Sequence, residues 1–163
     1  MMINFDSLYQ RYAQDVYRFA LYLCGNPAYA EELATEAFAR AWAAPGDVRE
    51  GTVKAYLFMI VRNLYRAGLR QEKRNVELDP TLPDPQPGPE ALSGSRLELQ
   101  ATLDALQTLP ELERTILLMH AQDDMSYLEI AAIFGLSVAA VKVKVHRSRL
   151  KLNRLLHPKG DIQ

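Results

Sequence analysis

The apolar positions of the first part of the chain recur with helical spacing. Phe5, Leu8, Tyr9, Tyr12, Val16, Phe19, Ala20 and Leu23 follow i, i+3, i+4, i+7, which puts them on one helix face. Asn4 or Asp6 supplies a side-chain cap at the start, and Gly25 ends the helix because it enters the left-handed conformation without a Cβ clash. Asn26 followed by Pro27 opens a second helix, since proline in the first turn forfeits no hydrogen bond, and the pattern carries it to about Ala44. Its glutamates 31, 32 and 36 face outward, while Ala30, Leu33, Ala37 and Trp42 face inward. After the turn-rich loop APGDVREG, Thr52 caps a third helix carrying Ala55, Tyr56, Phe58, Met59, Ile60 and Leu64. Arg70, Lys73 and Arg74 fall at its C-terminal end, where the helix dipole favours cations.

The pattern stops between Glu77 and Ser95. ELDPTLPDPQPGPEALSGS holds prolines 80, 83, 85, 87 and 89 and almost nothing to bury, so it reads as a linker. In polyproline form, about eighteen residues at about 3.1 Å each reach roughly 55 Å. That length spans about sixteen base pairs of duplex DNA. Helical spacing returns near Pro89 to Leu106, Pro110 to Ala121, Ser126 to Phe134 and Val138 to Leu156.

The last two segments have the form of a helix-turn-helix. Ser126 caps with Glu129 three residues on, Ala131 is small where two helices approach, Gly135 takes the turn, and Ser137 caps the next helix. Within that helix, VKVKVH alternates like a strand. At about 100° per residue, however, Val138, Val141, Val145, Leu152 and Leu156 share a narrow arc, and Lys142, Val143, His146 and Arg147 share another. A strand accounts for six residues of the segment and a helix for all nineteen. The expected fold is therefore all-α: two small helical domains, at residues 1–75 and 96–163, joined by a proline-rich linker at 76–95.

Charge sharpens this picture. The net charge is only −1, but residues 1–53, 54–74, 75–136 and 137–163 carry −3, +5, −9 and +6. Two compact basic segments in an acidic chain are suited to phosphate contact. The first combines cations with Tyr56, Phe58, Tyr65 and the polar Asn63, the materials for holding unpaired bases, although core packing is the commoner role of any one aromatic. The acidic face of the second helix serves either solvation or the docking of a basic protein. One cysteine, Cys24, excludes an internal disulfide and fits a reducing cytoplasm. No apolar run is long enough to span a membrane, and no signal peptide is recognisable. His120, His146, His157 and Cys24 form no metal pattern, and no nucleophile triad or phosphate loop is present, so no cofactor and no enzymatic activity are expected.

Taken together, AEELATEAFARAW, KAYLFMIVRNLYRAGLR, LPELERTILLMH and SYLEIAAIFGLSVAAVKVKVHRSRLKL resemble the extracytoplasmic-function (ECF) sigma factors of bacterial RNA polymerase, a branch of the sigma-70 family. The resemblance implies a region 2-like domain of three or four helices and a region 4-like helix-turn-helix domain. It implies an alternative sigma factor that binds core RNA polymerase, through the clamp helices of the largest subunit and the flap of the second, and starts transcription at chosen promoters. Glu31, Glu32, Glu36, Phe38 and Arg40 then lie in the polymerase-docking helix. Asp47, Val48 and Arg49, in the loop that captures a flipped base, and Arg62, Asn63, Arg66 and Arg70 face the minus-ten strand. Lys142, Val143, His146 and Arg147 take the major-groove positions at the minus-thirty-five element, with Lys144 and Arg149 on phosphates or in packing. An anti-sigma factor partner is implied by the family alone. The chain departs from the family pattern at Tyr56, where tryptophan is frequent, at Ala67, where aspartate is, and at Ala139, Ala140 and Val143, in place of a Gly-Thr pair followed by Ser. Two other functions fit parts of the sequence: a sigma-like decoy that sequesters an anti-sigma factor, and a dimeric helix-turn-helix repressor. Neither explains both basic helices together with the linker.

Overall fold

The computed structural model describes residues 4–43, 53–78 and 94–158. Among them are seven helices and no strand: α1 (Phe5–Cys24), α2 (Pro27–Ala43), α3 (Val53–Leu78), α4 (Gly94–Gln107), α5 (Glu111–Ala121), α6 (Tyr127–Phe134) and α7 (Val138–Leu156). The caps follow the sequence closely. Asn4, rather than Asp6, caps α1 by accepting from the Asp6 N–H at 3.0 Å, and Gly25 closes it at φ 77°. Asn26 caps α2 through the Tyr29 N–H at 2.9 Å.

Helix α3 corrects one expectation. It continues to Leu78, so Arg70, Lys73 and Arg74 do not occupy its last turn, which holds no basic residue. Nothing in RNVEL stops a helix; the first breaker is Pro80, which disfavours helical geometry in the residue before it. The helix expected from near Pro89 is described from Gly94. Thr52, expected to cap α3, lies outside the described residues.

Helices α1, α2 and α3 pack around Val16, Phe19, Leu23, Leu33, Leu57, Phe58 and Val61, with Phe19 and Phe58 stacked 4.3 Å apart at 8°. Helices α5, α6 and α7 enclose Ile116, Met119, Ile130, Val141 and Val145. The two groups meet directly, because α1 packs on both α4 and α5. The contact is polar at its centre. Arg114 of α5, only 5% exposed, donates to the Leu106 and Leu109 carbonyls at 3.0 Å, to the Tyr65 hydroxyl at 2.9 Å and to the Leu23 carbonyl. It thereby joins the C-terminal end of α1 and the middle of α3 to the α4–α5 turn.

Candidate nucleic-acid and polymerase interface

The basic helix α7 begins at Ser137, whose hydroxyl accepts from the Ala140 N–H at 3.0 Å. The preceding helix begins at Ser126, bonded to the Glu129 N–H at 3.0 Å, and ends at Gly135 with φ 65°. These caps fix the turn, and burial of Val141, Val145 and Ser148 fixes the rotation of α7. Val138, Leu152 and Leu156 extend that stripe, half-buried. Lys142, Val143, His146, Arg147 and Arg149 are consequently exposed. Val143 stands out among them as an apolar side chain 45% exposed between cations. Lys144 differs from its neighbours: it is half-buried and pairs with Glu113 of α5 at 3.0 Å.

On α3, Asn63, Arg66 and Arg70 are exposed. Asn63 lines a cleft of about 500 Å³ between α2 and α3, together with Arg40, Ala43, Tyr56, Ile60 and Ala67. The wall is mostly apolar, with a guanidinium, an amide and a phenol as polar points, which is the pairing of ring contact and hydrogen bonding that a base requires. Of the aromatics near the basic helix, Phe58 and Tyr65 are core residues; only Tyr56 opens onto the cleft. Asp47, Val48 and Arg49 lie outside the described residues.

Arg62 is not placed as its neighbours are. It is 8% exposed, and its Nε and Nη2 donate to the two carboxylate oxygens of Glu111 at 2.6 and 3.1 Å. Its guanidinium also lies 5.1 Å from the centre of the Phe134 ring. Arg62, which the resemblance assigns to the minus-ten strand, is thus covered in this arrangement by Glu111 of α5 and Phe134 of α6.

Helix α2 exposes Glu31, Glu32, Glu36 and Arg40, the last two paired at 3.1 Å. Phe38, grouped with them by resemblance, is 2% exposed and packs edge-on against Tyr9 at 5.0 Å. Trp42, expected to point inward, is 70% exposed. It sits one turn beyond Phe38, where its ring meets only the edge of the core, at Phe5, 5.5 Å away. Phe5, Tyr9, Phe38 and Trp42 line an apolar cleft of about 530 Å³ beside the acidic face.

Sequence reading did not find Asp123. Its buried carboxylate sits between Lys54 of α3 at 3.2 Å and Arg18 of α1 at 3.7 Å. Loss of water raises its pKa above the ordinary carboxylate value, and the two cations only partly offset that. Arg114 did leave a signal: it lies on one helical face with Leu117, Leu118 and Ala121, a charge within an apolar stripe.

With this geometry in view, the comparisons with known proteins are decisive. Residues 8–75 match the model for sigma-70 region 2, and residues 99–152 the model for sigma-70 region 4. The ECF RNA polymerase sigma factor EcfG of Rhodopseudomonas palustris is 36% identical over 148 residues, covering 87% of this chain and 79% of EcfG. This chain belongs to the ECF sigma factors. SigE of Mycolicibacterium smegmatis, another ECF sigma factor, is 34% identical, covering 95% of this chain and 62% of SigE. Among solved structures, the sigma factor RpoE of Bartonella quintana, in complex with the anti-sigma factor NepR, matches with a TM-score of 0.77 at 26% identity. That match covers 97% of this chain and 98% of RpoE. The chain is thus an alternative sigma factor for transcription initiation, a DNA-binding regulator and not an enzyme. No helix among the described residues is long and apolar enough to cross a membrane.

Proposed function

We propose that this sigma factor, acting in the cytoplasm with core RNA polymerase, reads the minus-thirty-five element with the exposed face of α7 and holds the minus-ten strand on α3. The observation that carries the proposal is the exposure of Lys142, Val143, His146 and Arg147 together on a capped helix whose opposite face is buried. Lys142 and Arg147 donate to guanine acceptors or phosphates, and Val143 meets a thymine methyl. Lys144 orients α7 through Glu113, and Arg149 contacts the phosphate backbone. Asn63 and Tyr56 in the cleft receive an unstacked base, Asp47, Val48 and Arg49 contribute to its capture, and Arg62, Arg66 and Arg70 track the strand. Glu31, Glu32, Glu36 and Arg40 dock the clamp helices of the largest polymerase subunit, and the second domain meets the flap. Residues 1–75, 76–95 and 96–163 serve as docking and melting domain, linker and upstream-reading domain.

An anti-sigma factor is the expected regulator, since the similar sigma factor RpoE is found in complex with the anti-sigma factor NepR. The test is run-off transcription with purified core polymerase on a library of promoter fragments. Specific transcripts, reduced by Arg147→Ala and by Asn63→Ala, support the proposal. A chain that binds core without directing specific transcripts would be a decoy, and one that binds palindromes as a dimer a repressor; either result overturns it.

A further inference from the structure

We propose that Tyr127, at the start of α6, is a positioning residue for minus-thirty-five reading, its ring holding the Lys142 ammonium in place for one base position. The inference rests on the reading of Lys142 as a base contact made above. Lys142 Nζ lies 5.8 Å from the centre of the Tyr127 ring, within the range at which an aromatic face attracts a cation. The ring is itself supported. It stacks on the His120 imidazole of α5, with centroids 4.1 Å apart and planes at 21°. His120 Nδ1 donates to the Met125 carbonyl at 2.9 Å, and the Met125 N–H donates to the Met119 carbonyl at 3.0 Å, so the turn between α5 and α6 is tied to the imidazole beneath the ring. Ser126 caps α6 immediately before Tyr127 and fixes where that side chain leaves the helix.

The kind of partner distinguishes two neighbouring lysines. Lys144 is held by the Glu113 carboxylate at 3.0 Å, which offsets its charge. Lys142 is exposed and is held by a ring, which attracts a cation without neutralising it. An ammonium held in this way keeps its charge and its donors for guanine acceptors. A lysine stem is flexible and loses rotamer freedom on binding; ordering it beforehand lowers that cost and favours one base position over its neighbours. At an exposed site the attraction corresponds to about two- to fivefold in affinity.

The test reads promoter preference in the holoenzyme and the surroundings of Lys142 in the full chain without polymerase. In competition binding on duplexes changed one base at a time across the minus-thirty-five element, Lys142→Ala should lose preference at one position. Tyr127→Leu should weaken the preference at that same position about two- to fivefold and add nothing to Lys142→Ala, while Tyr127→Phe, which keeps the ring, should retain it. Carbon-edited proton NMR of the free chain should show the Lys142 ε-methylene protons shifted upfield by the ring. That signal, assigned by its loss in Lys142→Ala, should persist in Tyr127→Phe and return to the ordinary lysine position in Tyr127→Leu. Circular dichroism checks that the helices are kept; should Tyr127→Leu lose them, an unshifted Lys142 signal in the wild-type chain is enough to overturn the proposal. Preference lost in Lys142→Ala but intact in Tyr127→Leu would remove Tyr127 and leave Lys142 as a reader. Equal losses in Tyr127→Phe and Tyr127→Leu would transfer the effect from the ring to the hydroxyl and also overturn it. Preference unchanged in Lys142→Ala would instead sink the base-reading assignment of Lys142, and the positioning role with it, even where the NMR shift shows the ring contact to exist.

Discussion

Replacing Arg114 with methionine should lower the unfolding free energy by about 2–5 kcal/mol. The wild-type guanidinium makes four described hydrogen bonds, to the carbonyls of Leu23, Leu106 and Leu109 and to the Tyr65 hydroxyl. Bonds to a charged group contribute about 1.5–3 kcal/mol each, so a naive sum exceeds 6 kcal/mol. Two effects reduce it. The Leu23 carbonyl keeps Gln107 Nε2 at 3.2 Å, and the Leu106 carbonyl keeps the Leu109 N–H at 3.1 Å, which leaves the Leu109 carbonyl and the Tyr65 hydroxyl without their described partners. Each such buried orphan costs about 1–3 kcal/mol. Removing the buried cation also relieves its own desolvation, while methionine fills most of the volume of the arginine stem. Urea unfolding followed by far-ultraviolet circular dichroism measures the change, at constant m-value. Lysine should not rescue, since one ammonium cannot satisfy a fork of carbonyls. Tyr65→Phe should cost less than the arginine change and fail to add to it, as residues sharing a bond do. A methionine variant within about 0.5 kcal/mol of wild type would show that Arg114 is a tolerated buried charge and not a fastener.

Asp123 predicts a pH dependence. Its folded-state pKa is raised, so the fold binds that proton more tightly than the unfolded chain does; the associated stability is fully present below the ordinary carboxylate value and is lost as pH rises through the raised folded value. Denaturant titrations across that window should show the decline, and Asp123→Asn should flatten it while Asp15, Arg18 and Lys54 remain around the site. Gly135→Ala should destabilise by about 1–2 kcal/mol through backbone strain alone; its φ is +65° and no neighbouring atom lies within 4 Å of the added methyl, so a neutral result by thermal unfolding would contradict the strain argument. In promoter binding by the holoenzyme, Arg147→Ala should cost roughly 1–3 kcal/mol at one base position if its contact is bidentate. An unchanged sequence preference would exclude it from base reading.

The parts of the fold legible in the sequence are those whose causes are local. Caps at Asn4, Asn26, Ser126 and Ser137 and stops at Gly25 and Gly135 each follow from a residue and its near neighbours. The rotation of α7 was legible for the same reason: the valine arc is long enough to outweigh the strand-like alternation at its centre. Trp42 was misread rather than hidden: at about 100° per residue it falls about 120° around α2 from Ala30, outside the arc of Ala30, Leu33 and Ala37, and it is exposed. Arg62 shows the deeper limit. Its helix phase is compatible with an exposed basic face, and its burial depends on Glu111, forty-nine residues away in sequence. Arg114 was half legible, as a charge in an apolar stripe whose carbonyl partners the sequence does not reveal.

The charge distribution takes on a different meaning once those partners are known. A net charge of −1 is an unpromising average for a protein that binds DNA. Yet the acidic segment that cancels the basic ones supplies Glu111 to Arg62 of α3 and Glu113 to Lys144 of α7. Two carboxylates on the first turn of α5 also lie at the positive end of that helix dipole, where each is stabilised without its partner. The helix dipole therefore adds to the stabilisation that Arg62 and Lys144 give these two carboxylates. Near-neutrality here is not an absence of nucleic-acid chemistry but the consequence of a chain whose acidic middle is complementary to its own basic helices.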